Sequence, residues 1–451
     1  MLSNPGIQRT QPITMSLQPS VHSSSSWPST SLAPHGQSAK ETGEEALGRH
    51  ARRLFDRYIR HRRHEPDLQF LYLPGMPTVL DIGRCLYWWG LTSGRIEREC
   101  GVSRWRQLRE AWAITWQEQI QAQLYYMYEL YRAEEQARMG AYFTRRETKN
   151  GLLRAINWVT RNGQGKQTDF GDKASFIALL RRHALPTTSV LFSCDRQGAD
   201  LTLSPAGAFE CDLFVKDRYG KGAQGAKLIR HIGPGRFEYG DQEVSLAQLI
   251  TGLTEQSRET PLIVVARLVN HPELADLAEQ SLITLRVFTC LDESGEPAVV
   301  MAMLRILGKL EPNWHSEIEW GSAIDPESGR MSLLVSDIPH QDNGRYTHHP
   351  VTGRRVAGRL VPFWPEIKRV AEAGHGIASD RLLIGWDIAV TPAGPVILEA
   401  NGVPDFVFPQ RVHRLPIGET RFGRLIAPYL DRLEQSIDRL PADQRKEGGR
   451  K

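Results

Sequence analysis

The stretch GWDIAVTPAGPVILEAN, residues 385–401, constrains this chain more than any other. Its two halves are apolar and partly β-branched, and Pro392, Ala393 and Gly394 between them supply turn chemistry, so it reads as a β-hairpin. With the turn centred near Ala393, Asp387 lies opposite Glu399. Side chains alternate faces along a strand, which puts Asn401 beside Glu399 and sends Trp386, Ile388, Val390, Val396, Leu398 and Ala400 to the other face. Opposed residues sit roughly 4.5–5.5 Å apart at Cβ, and like charges so placed destabilise a sheet. A fold that keeps this hairpin must bring positive charge to the two carboxylates.

Three cationic segments precede it. FGDKASFIALLRRHALPTTSVLF suggests a helix with an acidic start and Phe176, Leu179 and Leu180 on its buried side, followed by Pro186 and a strand. Lys173 at that helix start is out of place, since the positive end of the helix dipole repels cations. CDLFVKDRYGKGAQGAKLIRHIG reads as a strand ending in Lys216, a loop with Gly220, Gly222 and Gly225, and a return strand. Glycines let backbone N–H groups wrap an anion, although the spacing is not that of a Walker A loop. ITLRVFTCLDESGEPAVVMAMLRIL forms a second hairpin turned at Ser294 and Gly295. That turn pairs Arg286 with Met303 and Arg305 with Thr284, so both guanidiniums share one face, where a carboxylate or phosphate ligand, or acids from elsewhere in the chain, would answer them.

The chain has 451 residues, beyond the roughly 250–300 at which one hydrophobic core stops growing, so more than one folded unit is expected. Residues 1–45, rich in Ser, Pro, Thr and Gln, read as a disordered arm, and 46–165 as a mainly helical region. Residues 166–260 hold the glycine-rich loop, 261–430 the acidic hairpin, and 431–451 a polar tail. Within the helical region, the arginine run at 49–64 reads as a solvated helix face that could touch an anionic membrane surface. Trp105, Leu108, Trp112, Trp116, Ile120, Leu124, Met127 or Tyr128, and Tyr131 fall at helical spacing and are expected to pack in a core. The five cysteines lack metal or CxxC spacing, no apolar run reaches the ~18–20 residues of a membrane span, and the polar start lacks a signal-peptide core. These features suit the cytoplasm, and a net charge of +4 gives no reason to expect a nucleic-acid partner.

The order Lys173, Lys216 with its glycine loop, Arg286, Arg305, Asp387, then Glu399, Ala400 and Asn401 resembles the ATP-grasp superfamily. More narrowly, VVARLVNHPELADL, SLITLRVFTCLDESGEP, HPVTGRRVAGRLVPFWPEI and LLIGWDIAVTPAGPVILEANGVPDF resemble the sugar-transfer associated ATP-grasp family, related to α-L-glutamate ligases, over residues 110–430. The resemblance implies an α+β fold of two subdomains whose antiparallel sheets sandwich ATP. It implies Mg²⁺ held by Asp387, Glu399 and Asn401, nucleotide phosphates at Lys173, Lys216 and the loop of Gly220, Gly222 and Gly225, and Arg286 and Arg305 in catalysis. The implied reaction joins a small-molecule or sugar-linked carboxylate to an amine through an acyl phosphate, with addition of an amino acid to a cell-surface polysaccharide or its precursor as the biological outcome. A kinase acting on a hydroxyl, a non-catalytic nucleotide-binding regulator and a membrane-surface adaptor are the competing readings. Glu273 is the candidate for the ribose hydroxyls, and 311–352, with His315, His340, His348 and His349, is expected to line the acceptor pocket.

Overall fold

The two predicted hairpins become the centre of one antiparallel sheet. The structure, a computed structural model, describes residues 46–61, 79–149, 152–160, 168–201, 209–220, 226–278, 281–308 and 318–439, all within the compact unit Glu45–Lys451. The arm expected at 1–45 and the end of the polar tail lie outside the described residues.

Two seven-stranded antiparallel sheets form the α+β architecture that the sequence implies. The first contains β1 (Val190–Asp195), β2 (Gly198–Asp200), β3 (Leu213–Asp217), β4 (Lys227–Gly233), β5 (Arg236–Tyr239), β6 (Gln242–Ser245) and β7 (Leu262–Ala266), in the order β2-β1-β7-β3-β4-β5-β6. The second contains β8 (Thr284–Leu291), β9 (Pro297–Leu307), β10 (Glu319–Ile324), β11 (Met331–Ser336), β12 (Arg345–Tyr346), β13 (Leu383–Thr391) and β14 (Gly394–Asn401), in the order β12-β11-β10-β9-β8-β13-β14.

Helix Leu246–Gln256 covers one face of the first sheet through Leu249 and Leu253, its start fixed by a capping box between Ser245 and Gln248. Helix Lys173–Arg182 straddles the two halves. Its Phe176 and Leu180 enter the core of the second sheet, while Ile177 joins Val190, Ile263 and Val265 of the first. Ile177 therefore takes the buried position that the spacing gave to Leu179. The halves are also tied by backbone: Ile397 N–H donates to Pro186 O at 2.9 Å and His271 N–H to Val390 O at 2.8 Å. Helix Trp364–Ile377 packs on one face of the second sheet, where Gly374 lies against Trp386. The opposite face carries Phe288, Cys290 and Met301 under helices Leu47–His61, Leu152–Thr160 and Arg421–Asp438.

Two expectations for the helical region are corrected. The described part of the arginine run is not a wholly solvated face: Arg49 bonds Glu118 at 2.8 Å, Arg52 is buried and donates to Tyr142 O at 2.7 Å, and Arg57 pairs with Glu434 and Asp438. Arg53 is exposed, and residues 62–64 lie outside the described residues. The aromatic stripe is not one core helix either. Helix Arg104–Gln117 ends and helix Ala122–Met127 follows; the first buries Gln107, Ala111 and Ile114, while Trp105, Trp112 and Trp116 face outward.

Candidate active site

β13 and β14 are joined by a tight turn that sets Thr391 opposite Gly394, with Gly394 at φ 119°. A regular ladder from that turn would place Asp387 opposite Leu398. A bulge beside Ile388 adds one residue to β14, and Asp387 pairs with Glu399. The expected pairing is thus correct, but the even alternation of faces is not. Ile397 is buried with Trp386, Ile388 and Val390, whereas Val396 and Leu398 are half-buried.

Asp387 also lies directly opposite Arg286 of β8, and Arg305 of β9 lies opposite Thr284, the register expected from the Ser294 turn. Arg286 donates Nε and Nη2 to the two oxygens of Asp387, the second at 2.9 Å. Arg305 Nη1 reaches the same oxygens at 3.3 and 3.4 Å, and its guanidinium is gripped on another side by Glu319, with Nη2 to Oε2 at 3.0 Å. Glu319 N–H in turn donates to Asp337 Oδ1 at 3.0 Å. A row of charge therefore crosses the sheet from Glu399 through Asp387, Arg286, Arg305 and Glu319 to Asp337. Acids from the chain itself answer both arginines, the alternative that the sequence left open.

The two acids of the hairpin behave oppositely. Burial would raise Asp387, but Arg286 and Arg305 hold its carboxyl down to about 2. Burial, the Asp387 charge and a hydrogen bond to Asp387 push Glu399 up to about 7, so it holds its proton in weak acid and gives it up around neutrality. Asn401 Nδ2 lies 3.5 Å from Glu399 Oε1.

Lys173 at the start of its helix and Lys216 of β3 act on Glu399 through their charges. Lys173 begins its helix after the N-cap Asp172, whose Oδ1 accepts from Ala174 N–H at 3.0 Å and whose carboxylate is forked with Arg218 at 2.8 and 2.7 Å. Its ammonium donates to Asp217 O at 3.0 Å and to Gly220 O, which explains a lysine at a helix start: it anchors the entry to the glycine loop. Gly220 itself needs to lack a side chain, since a Cβ there would stand 2.7 Å from Asp217 Cβ. Gly222 and Gly225 lie outside the described residues. Lys216, next to last in β3, is half-buried, and burial with the nearby Lys173 lowers its ammonium to about 8. Its side chain makes no hydrogen bond or ion pair among the described residues.

The structure brings Lys173, Lys216, Arg286, Arg305, Asp387, Glu399 and Asn401 into one neighbourhood. Glu273 is exposed, and its carbonyl accepts from Arg359. His349 is buried, His340 rests on Trp88 with ring centroids 5.8 Å apart, and His315 lies outside the described residues. Among the described residues, no group of three or more His, Cys, Asp or Glu side chains could hold a metal ion. Sequence reasoning missed Glu319, Asp337, Asp172 and Arg218. Burial, assisted by the charge of Glu319, raises Asp337 to about 6.

Solved structures similar to this chain include D-alanine–D-alanine ligase from Bacillus anthracis complexed with ATP, at 11% identity and a TM-score of 0.33, covering 60% of this chain and 68% of that one. The VanG D-Ala:D-Ser ligase from Enterococcus faecalis is also similar, at 15% identity and a TM-score of 0.32, covering 59% of this chain and 61% of that one. No curated protein matches the sequence. The family model described as sugar-transfer associated ATP-grasp matches residues 160–417, which hold both sheets and every charged side chain of the row. The chain belongs to the sugar-transfer associated ATP-grasp family.

Proposed function

We propose that the protein is an ATP- and Mg²⁺-dependent ligase that activates a carboxylate as an acyl phosphate and passes it to an amine. The observation that carries this reading is the meeting of Lys173 from the start of its helix and Lys216 from the first sheet with Glu399, Asp387, Arg286 and Arg305 from the second sheet. Phosphoryl transfer needs positioning and charge neutralisation more than covalent help from the protein. Lys216, whose side chain has no hydrogen-bond or ion-pair partner among the described residues, is free to take a phosphate oxygen, and Lys173 anchors the entry to the glycine loop at Asp217 and Gly220. Arg286 and Arg305 are rigidly aimed by Asp387 and Glu319, so the substrate carboxylate and the phosphoryl group in flight meet guanidiniums that need no reorganisation.

The donor set suits Mg²⁺. Asp387 and Glu399 repel until one holds a proton, and a hard dication with oxygen ligands removes the reason for that proton. Each carboxylate oxygen has a second lone pair, so Asp387 can face a metal while Arg286 and Arg305 hold it. Glu399, Asn401 and Asp387 would hold the ion, which when bound supplies charge neutralisation for the ATP phosphates.

The family description, sugar-transfer associated, fits a sugar-linked acceptor or donor, and addition of an amino acid to a cell-surface polysaccharide or its precursor is the outcome we propose for it. Five free thiols and an ATP-consuming reaction fit a cytoplasmic setting. Among the described residues, no helix is long and apolar enough to cross a membrane. The test is ADP release with candidate acids and amines, alongside hydroxylamine trapping of the activated acid as a hydroxamate. Hydroxamate formation that depends on acid and MgATP is expected. A phosphorylated hydroxyl product, or AMP as the only nucleotide product, would replace the ligase reading.

A further inference from the structure

Helices Val79–Cys100 and Arg104–Gln117 form an antiparallel pair. Arg104 Nε donates to Ser93 Oγ at 3.0 Å, and farther along Cys85 Sγ lies 3.6 Å from Thr115 Oγ1. Their inner stripes, Cys85, Thr92 and Ile96 on one and Gln107, Ala111 and Ile114 on the other, are buried. A helix with one such stripe normally turns polar residues outward. These two do not.

Opposite its inner stripe the first helix carries Leu80, Arg84, Tyr87, Leu91 and Arg98, and the second carries Trp105, Arg109, Trp112 and Trp116. The spacing of four, three and four is the same on both, and it sets one apolar-and-arginine line on the outside of each helix. Leu80 is 66% exposed, Tyr87 63% and Trp105 74%. Trp112 and Trp116 rest on each other with centroids 5.7 Å apart, and Trp89 bridges the helices against Trp105 at 5.8 Å. Neither outer line contains an Asp or Glu, and Arg98 and Arg109 have no partner among the described residues. Of the acids nearby, Asp81 bonds Arg84, Glu99 bonds Arg95 and Glu110 bonds Arg106, while exposed Glu97 accepts from Arg104 N–H at 3.3 Å.

We propose that this helical pair docks the protein on a membrane surface that contains anionic lipid. Contiguous exposed apolar surface of this kind marks an interaction site. Indoles with a free N–H, interleaved with arginines, match the headgroup zone, where apolar surface, phosphate and water acceptors lie within a side chain's reach. A second copy of the chain fits less well. A face-to-face dimer brings the same patch against itself, so Arg98 and Arg109 would meet a partner line that offers no carboxylate to answer them. The long outer line of the second helix spans about 17 Å, enough for all three indoles to lie at one depth in the interface plane. The proposed membrane contact is made by residues 80–116.

The experiment is vesicle flotation of the full chain, with phosphatidylcholine alone and with an equal part of phosphatidylglycerol, following tryptophan emission. Binding to the mixed vesicles with a blue shift is expected. Trp105→Gln, Trp112→Gln and Trp116→Gln together should weaken it by at least about tenfold, with an unchanged melting temperature because all three point outward. Arg98→Glu with Arg109→Glu, which keeps every indole, should selectively weaken binding to the anionic vesicles. Failure of the wild type to float with either vesicle, or undiminished binding by both variants, overturns the proposal. So does a wild-type dimer that the tryptophan variant dissolves without any lipid binding. None of these outcomes bears on ATP use, which is assayed separately.

Discussion

Replacing Glu399 by Gln separates a site strained for ligand binding from a structural ion pair. The protonated Glu399 shares its proton with Asp387, and a glutamine keeps that donor and the side-chain size while losing the ability to ionise. A carboxyl raised from 4.5 to about 7 costs the fold on the order of 3 kcal/mol once it is ionised. The stabilising contribution of its proton is fully present below the unfolded value of 4.5 and is lost as pH rises through about 7. In chelator, the Glu399→Gln protein should therefore match the wild type in acid and exceed it above neutrality. Adding MgATP should reverse the order, because only the wild type regains a charged ligand at that position. The assay is urea unfolding across that pH range, with and without MgATP. A mutant that is less stable than the wild type in chelator above neutrality would refute the reasoning. It would mean that Glu399 is a partner in a buried ion pair, whose removal costs about 3–5 kcal/mol.

Lys216→Met should weaken ATP binding by about 1.5–3 kcal/mol, roughly ten- to a hundredfold in Kd by titration calorimetry. In the wild type, affinity should fall as pH rises through about 8, where this ammonium loses its proton. Lys173→Ala should lower stability by about 1–3 kcal/mol in urea unfolding, since it strips Asp217 O and Gly220 O of their donor. Gly374→Ala should cost about 1–3 kcal/mol in thermal melts, because its Cβ would stand 2.8 Å from the Trp386 ring, itself pinned by its indole N–H to Thr289 Oγ1 at 2.8 Å.

What the sequence made legible is which strands pair and which charged residues meet. Centring the hairpins on Ser294 with Gly295 and on Ala393 gives the right partners for Arg286, Arg305 and Asp387, but in both hairpins a bulge, beside Thr289 and beside Ile388, sets that register and not the turn alone. Glu319 was hidden because residues 308–318 join β9 to β10, a link too long for its sequence to set a register, so nothing local aims Glu319 at Arg305. The arginine run misled for a related reason: Arg57 finds its acids at Glu434 and Asp438, at the far end of the chain. The tryptophans misled because helix Arg104–Gln117 has two apolar-looking stripes, and the bulkier one faces out. The buried one includes Gln107, which fits the interior only because its Nε2 donates to Ser93 O at 3.1 Å and Val102 O at 2.7 Å.

The extra residue beside Ile388 decides what an insertion or deletion does to this protein. On a regular ladder from the same turn, Glu399 would oppose Trp386 and enter the apolar core, and Asp387 would face Leu398. Losing Leu398 would straighten the strand and still leave the two acids opposite each other, whereas losing Ala393 would shift the whole return strand. The acidic pair is thus insured against change on one side of the bulge and exposed to it on the other. A comparison of relatives anchored on the turn will misplace the second acid by one position wherever the bulge is missing, and one anchored on the aspartate and the glutamate will not.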